Sequence, residues 1–160
     1  MTVREIRPTD VPAVLGMVRE LAAYEKAEHE ALMTAAQLQD ALFGPAPALF
    51  GHVAQTEDGE TAGFAVWFLN FSTWRGTHGI YLEDLYVRPE HRGSGFGREL
   101  LQTLAALCVQ RGYSRLEWSV LDWNAPSIAF YQAAGAAPMD EWTVFRLTDD
   151  ALARFAGDPG

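Results

Sequence analysis

The residues best suited to chemistry lie between Leu82 and Leu101, in the run LEDLYVRPEHRGSGFGRELL. Two adjacent acids, Glu83 and Asp84, break an otherwise apolar stretch. Close behind them come Gly93, Gly95 and Gly97, at every second position. Glycines so spaced tolerate positive φ and let main-chain N–H groups approach a ligand closely. A helix begins near Phe96, with Leu100, Leu101, Leu104 and Leu107 at helical spacing. Its N-terminus leaves amides and a positive dipole end for an anion, so the stretch reads as a phosphate or pyrophosphate site. Two better-known phosphate signatures fail here. A P-loop needs Lys-Ser or Lys-Thr after its last glycine, and a dinucleotide fingerprint needs a third glycine. Arg98 and Glu99 follow Gly97, and Arg98 and Leu100 stand where that third glycine belongs.

The elements that must position this stretch can be read along the chain. Thr2 to Arg7 reads as a first strand, and Thr9 or Asp10 as the cap of a helix through Val11, Val14, Leu15, Val18 and Leu21. Thr34 with Gln37 resembles a capping box for a second helix ending near Gly44. Strands are expected over 49–55, 61–71 and 80–87, with a turn at Glu57-Asp58-Gly59 and a longer connection over 72–79. The glycine loop feeds the helix 96–111, which Gly112 ends. A strand over 116–121, a short helix 127–134 capped by Asn124, a last strand 142–147 and a final helix 149–155 complete the order. A mixed α/β sheet with helices on both faces follows. Right-handed crossover makes 80–87 and 116–121 parallel neighbours.

With 160 residues, 49% hydrophobic and 21% charged, the chain reads as one domain, 1–160. No apolar run approaches the ~18 residues of a membrane span, and the charged opening MTVREIRPTD does not resemble a signal peptide. The single Cys108 fits a reducing, cytoplasmic setting, and reads as a small buried hydrophobe. A net charge of −9 argues against nucleic acid as a partner. Residues 1–70 hold ten acids against four bases, whereas Arg88, Arg92 and Arg98 cluster at the loop. An anionic cofactor and a cationic acceptor would call for that division, although solubility alone also accounts for the acidity. The four histidines lack metal-ligand spacing, so no metal is expected. Trp67, Trp74, Trp118 and Trp142 read as core or interface residues.

Arg92-Gly93-Ser94-Gly95-Phe96-Gly97 fits the pattern Arg/Gln-x-x-Gly-x-Gly/Ala. In this the chain resembles the GNAT superfamily of acetyl-CoA-dependent N-acetyltransferases, and the order of elements is similar across nearly its whole length. Three further segments are similar to the diamine (spermidine/spermine) and thialysine acetyltransferase branch: Leu21 to Glu25, Tyr81 to Asp84, and Trp123 to Tyr131. The resemblance implies the GNAT fold, with a mostly antiparallel central sheet, and acetyl-CoA as the acyl donor. It assigns acetyl-CoA to Leu85, Tyr86, Val87, Arg92, Gly93, Ser94, Gly95, Phe96, Gly97, Arg98, Asn124, Ser127 and Tyr131. Tyr131 takes the position of general acid. Tyr24, Glu25, Glu83 and Asp84 take positions on the amine side, with Glu83 as the base. A homodimer is implied as well.

That chemistry is self-consistent. An alkylamine with a pKa about 10.4 is protonated at neutral pH, and reaching its nucleophilic form costs roughly 4–5 kcal/mol. A carboxylate that removes the proton opens that route, and a phenol can protonate the departing thiolate. Strand alternation puts Glu83 and Asp84 on opposite faces unless a bulge intervenes. Glu83 could instead form an ion pair with Arg75 or Arg88, and Tyr24 and Glu25 could be a plain exposed helix end. The leading expectation is acetyl transfer to a small cationic primary amine. A protein or antibiotic amine, or a non-catalytic acyl-CoA-binding module, are the alternatives.

Overall fold

The structure, a computed structural model, describes residues 1–157. It divides into two compact units, Met1–Leu121 and the residues from Asp122 onward. The first holds β1 (Thr2–Glu5), α1 (Val11–Tyr24), α2 (Ala35–Phe43), β2 (Phe50–Gln55), β3 (Thr61–Ser72), β4 (Thr77–Val87), α3 (Phe96–Arg111) and β5 (Leu116–Glu117). The sheet runs β1-β2-β3-β4-β5, antiparallel except for the parallel pair β4 and β5. The mixed sheet and the parallel β4–β5 pair joined through α3 are therefore as expected.

Each face of the sheet is covered by helix. Val14, Met17 and Leu38 of α1 and α2 pack with Val53, Phe64, Val66 and Tyr86. On the other face α3 lies against β2, β3 and β4, with Leu100, Leu104 and Cys108 buried. His52 and Trp67 are buried there too, the indole N–H donating to His52 Nδ1 at 3.3 Å. Burial holds that imidazole's pKa below its ordinary value, so it packs as a neutral ring.

Several expectations change in detail. Asp10 does not cap α1 with its side chain. Its carboxylate turns back to a two-pronged pair with Arg4, at 2.7 and 2.9 Å, and accepts the Arg7 N–H at 2.7 Å. A bidentate guanidinium partner is stronger than a neutral cap, and it holds this carboxyl below its usual range. The Thr34–Gln37 capping box forms in both directions, at 3.2 and 2.9 Å. β4 starts at Thr77, because His78 and Thr77 pair with Phe71 and Ser72, and this shortens the connection to 73–76. β5 covers 116–117 instead of 116–121, since its ladder with β4 stops at Tyr81–Glu117.

The second unit holds α4 (Ala125–Ala133) and α5 (Asp149–Phe155). Asn124 caps α4 by accepting the Ser127 N–H at 3.4 Å. The strand expected over 142–147 does not form. Its residues have strand-like composition, but a strand needs a neighbouring strand to ladder with, and among the described residues the sheet offers them none. Trp142 is accordingly exposed, as is Trp74, while Trp67 is core. Among the described residues no helix is long and apolar enough to cross a membrane.

Candidate active site

The glycine loop adopts the geometry its composition allows. Gly93 and Gly95 have φ of 79° and 89°, and no atom lies within 4 Å of a Cβ built at Gly93. Gly95 is the N-cap of α3, and no side chain bonds to that cap. The first amides of a helix have no partner within it, so Phe96, Gly97 and Arg98 present N–H groups at an uncapped terminus. Gly93, Ser94 and Gly95 are exposed beside them. Such a terminus can take phosphate oxygens without displacing a competing side chain.

Upstream, the register of β4 carries a bulge. Val66 pairs with Asp84, and the next residue, Trp67, pairs with Leu82, so Glu83 is the extra residue. Directly opposed residues share a face, which puts Asp84 with Val66 on the side of α1 and α2. An extra residue also sharpens local twist, which accounts for the early end of the β4–β5 ladder. Beyond Tyr81, β4 has no strand partner on its β5 side among the described residues. The main chain of Leu85, Tyr86 and Val87 belongs to this splayed segment. An extended ligand could pair with it.

The bulge gathers negative charge. Burial, and then the neighbouring charges of Glu83 and Glu25, push the Asp84 carboxyl up to about 6. Glu25 sits at the C-cap of α1, exposed overall, yet partial desolvation raises its carboxyl too. A helix C-terminus disfavours a carboxylate there. Three acids thus gather beside the C-terminal end of α1, an arrangement that favours a cation. Glu83 forms no ion pair with Arg75 or Arg88 among the described residues, and Arg88 engages Glu20 and Glu60 instead, each at 3.5 Å.

Two features escaped the sequence reading. Glu20 pairs with Arg88 at 3.5 Å, joining α1 to the end of β4. Its position four residues before Tyr24 was the available signal. Glu60, Glu90 and His91 also gather, their ligand atoms within 4.8 Å of one another. The Arg88 guanidinium beside Glu60 already balances charge in that cluster.

Asn124, Ser127 and Tyr131 lie in the second unit. Asn124 is buried at the start of α4, and Tyr131 is half-buried with its ring 5.3 Å from that of Phe130.

The signature of the Acetyltransferase (GNAT) family matches residues 15–136, which include the loop, the bulge and α4. The chain belongs to this family. It is an N-acetyltransferase. A thialysine N-epsilon-acetyltransferase of Bos taurus is 34% identical over 97% of this GNAT chain and 96% of its own length. An L-ornithine N5-acetyltransferase of Arabidopsis thaliana is 30% identical, over 94% and 85%. An integron cassette protein from the mobile metagenome of V. cholerae shares the fold, with a TM-score of 0.80, 23% identity, and coverage of 97% and 96%.

Proposed function

We propose that this GNAT enzyme transfers the acetyl group of acetyl-CoA to a primary amine of a small cationic substrate, thialysine-like, ornithine-like or a diamine. The observation that carries the acceptor side is the cluster of Glu25, Glu83 and Asp84 around the β4 bulge, with the Asp84 carboxyl raised to about 6. The relatives acting on thialysine and ornithine support the same class. On the donor side the fit rests on the uncapped N-terminus of α3 behind two glycines of positive φ. Gly93, Ser94, Gly95, Phe96, Gly97 and Arg98 would bind the pyrophosphate, and the main chain of Leu85, Tyr86 and Val87 the extended arm. By the resemblance, Asn124 and Ser127 would contact the same cofactor.

When bound, acetyl-CoA supplies an activated thioester carbonyl. The residues do the rest by holding charge and moving protons. Glu25 and Glu83 hold the ammonium. Asp84 accepts its proton, since a base with a pKa near the working pH combines availability with driving force. This moves the base from Glu83, the sequence expectation, to its neighbour. With acetyl-CoA held by the loop, the freed amine would be the nucleophile toward its thioester and, by the resemblance, the Tyr131 phenol would supply the proton that the departing thiolate takes up. A cytoplasmic setting goes with the reading, supported by the free thiol of Cys108.

A panel of amines tests it, with thiol release measured for purified protein and acetyl-CoA. Thialysine, ornithine and diamines should be turned over, and Tyr131→Phe should lower kcat on each without raising the acetyl-CoA KM. Turnover confined to peptide amines or aminoglycosides would overturn the acceptor class.

A further inference from the structure

Arg92 opens the glycine loop, and two of its N–H groups bond back to the end of β4 and the turn after it. Its Nε–H donates to the Val87 carbonyl at 2.9 Å, and its main-chain N–H to the Pro89 carbonyl at 3.2 Å. Its guanidinium carbon lies 5.3 Å from the Tyr24 ring centroid and 5.5 Å from that of Tyr86. Both distances fall within the reach of cation–π attraction. One side chain thus joins the last residue of α1 to β4.

The residues next to each ring give this contact its meaning. Glu25 follows Tyr24, and Asp84 stands two residues before Tyr86 on the same strand face. Like charges at Glu25, Glu83 and Asp84 repel, and a helix C-terminus repels Glu25 further. The α1 end closes through Lys26, a non-glycine residue with a φ of 59°. The Arg92 clamp supplies the opposing attraction and a cation to offset the acids.

We infer that Arg92 is a positioning residue: by stacking between Tyr24 and Tyr86 it holds Glu25 against the Glu83–Asp84 bulge, and so ties amine recognition to the cofactor loop. In this role the guanidinium acts on the amine side, whereas the resemblance assigns Arg92 to the cofactor. The role rests on the amine-acetyltransferase reading, and predicts a loss that falls on the amine and spares the cofactor.

The test compares wild type with Arg92→Gln and Arg92→Lys by steady-state kinetics, CoA calorimetry and amide hydrogen exchange. Arg92→Gln should raise the amine KM about tenfold while leaving kcat and CoA affinity within about twofold. Arg92→Lys keeps the cation over the rings and should recover part of the loss. In the protein without ligands, amides 22–27 should exchange faster in Arg92→Gln. A loss in CoA affinity as large as that in amine KM would overturn the proposal, as would unchanged amine KM and exchange. If wild type acetylates no amine, the functional reading fails, while the exchange measurement still decides the clamp. Melting temperatures confirm that each variant folds.

Discussion

Asp84 is held where its charge is unwelcome, between Glu83 and Glu25 and away from water, and that has a consequence for stability. Its carboxyl sits at about 6 in the fold, above the ordinary aspartate value of 3.8. A raised carboxyl favours the protonated form in the folded state. The stabilising contribution is therefore fully present below about pH 4 and is lost as pH rises through about 6. Asp84→Asn removes an ionisation that the fold opposes, and should stabilise the protein by about 3 kcal/mol at pH 8. At pH 4 the gain should vanish. Thermal melts at the two pH values measure this, and an equal shift at both would show that charge is not the cause. Activity should move the other way, with the variant losing most of its turnover. In the wild type, kcat/KM should fall as pH drops below about 6. A site that keeps an aspartate at the expense of stability is one where the aspartate has work to do.

The strand–loop–helix unit of β4 and α3 shows why some of the site was legible in sequence and some was not. The loop was, because its information is local: positive φ at Gly93 and Gly95 is written in residue type, and α3 follows at once. The bulge was not. LEDLYV reads as simple alternation, and the extra residue emerges only from the register against Val66 and Trp67 on β3. The same non-local cause truncated β5 and left 142–147 without strand structure, since neither outcome is set by the segment's own residues. Tyr24 and Glu25 were reachable through resemblance alone, because the contact that gives them a role comes from Arg92, far along the chain. The legible part makes its own prediction. Gly95→Ala puts a Cβ on a residue with φ of 89°, where the nearest atom is Met1 Cε at 4.0 Å. Space is available, so the cost is backbone strain, of order 1–2 kcal/mol. That strain acts on the first turn of α3, and the acetyl-CoA KM should rise about tenfold while the amine KM is unaffected. A rise in the amine KM alone would separate the loop from cofactor binding.

At the scale of the whole molecule, the resemblance implies a homodimer, and the second unit supplies a reason for one. Trp142, Val144, Phe145 and Leu147 are 66%, 84%, 92% and 51% exposed. They sit in a stretch that has strand composition and pairs with no strand among the described residues. A second copy carries the same stretch, and pairing two copies about a two-fold axis would cover both at once. Electrostatics opposes that step, because each copy brings a net charge of −9. Apolar burial would drive association while long-range repulsion resists it, so added salt should tighten the dimer by screening the repulsion. Sedimentation at micromolar concentration should give twice 17.7 kDa, with the dissociation constant falling from low to moderate ionic strength. Phe145→Glu adds charge to the strip and removes its most exposed aromatic ring, and it should leave a folded monomer under the same conditions. A wild-type protein that stays monomeric would end the dimer expectation. A dimer that salt weakens would mean instead that ion pairs hold the copies together, and the apolar strip would lose its role.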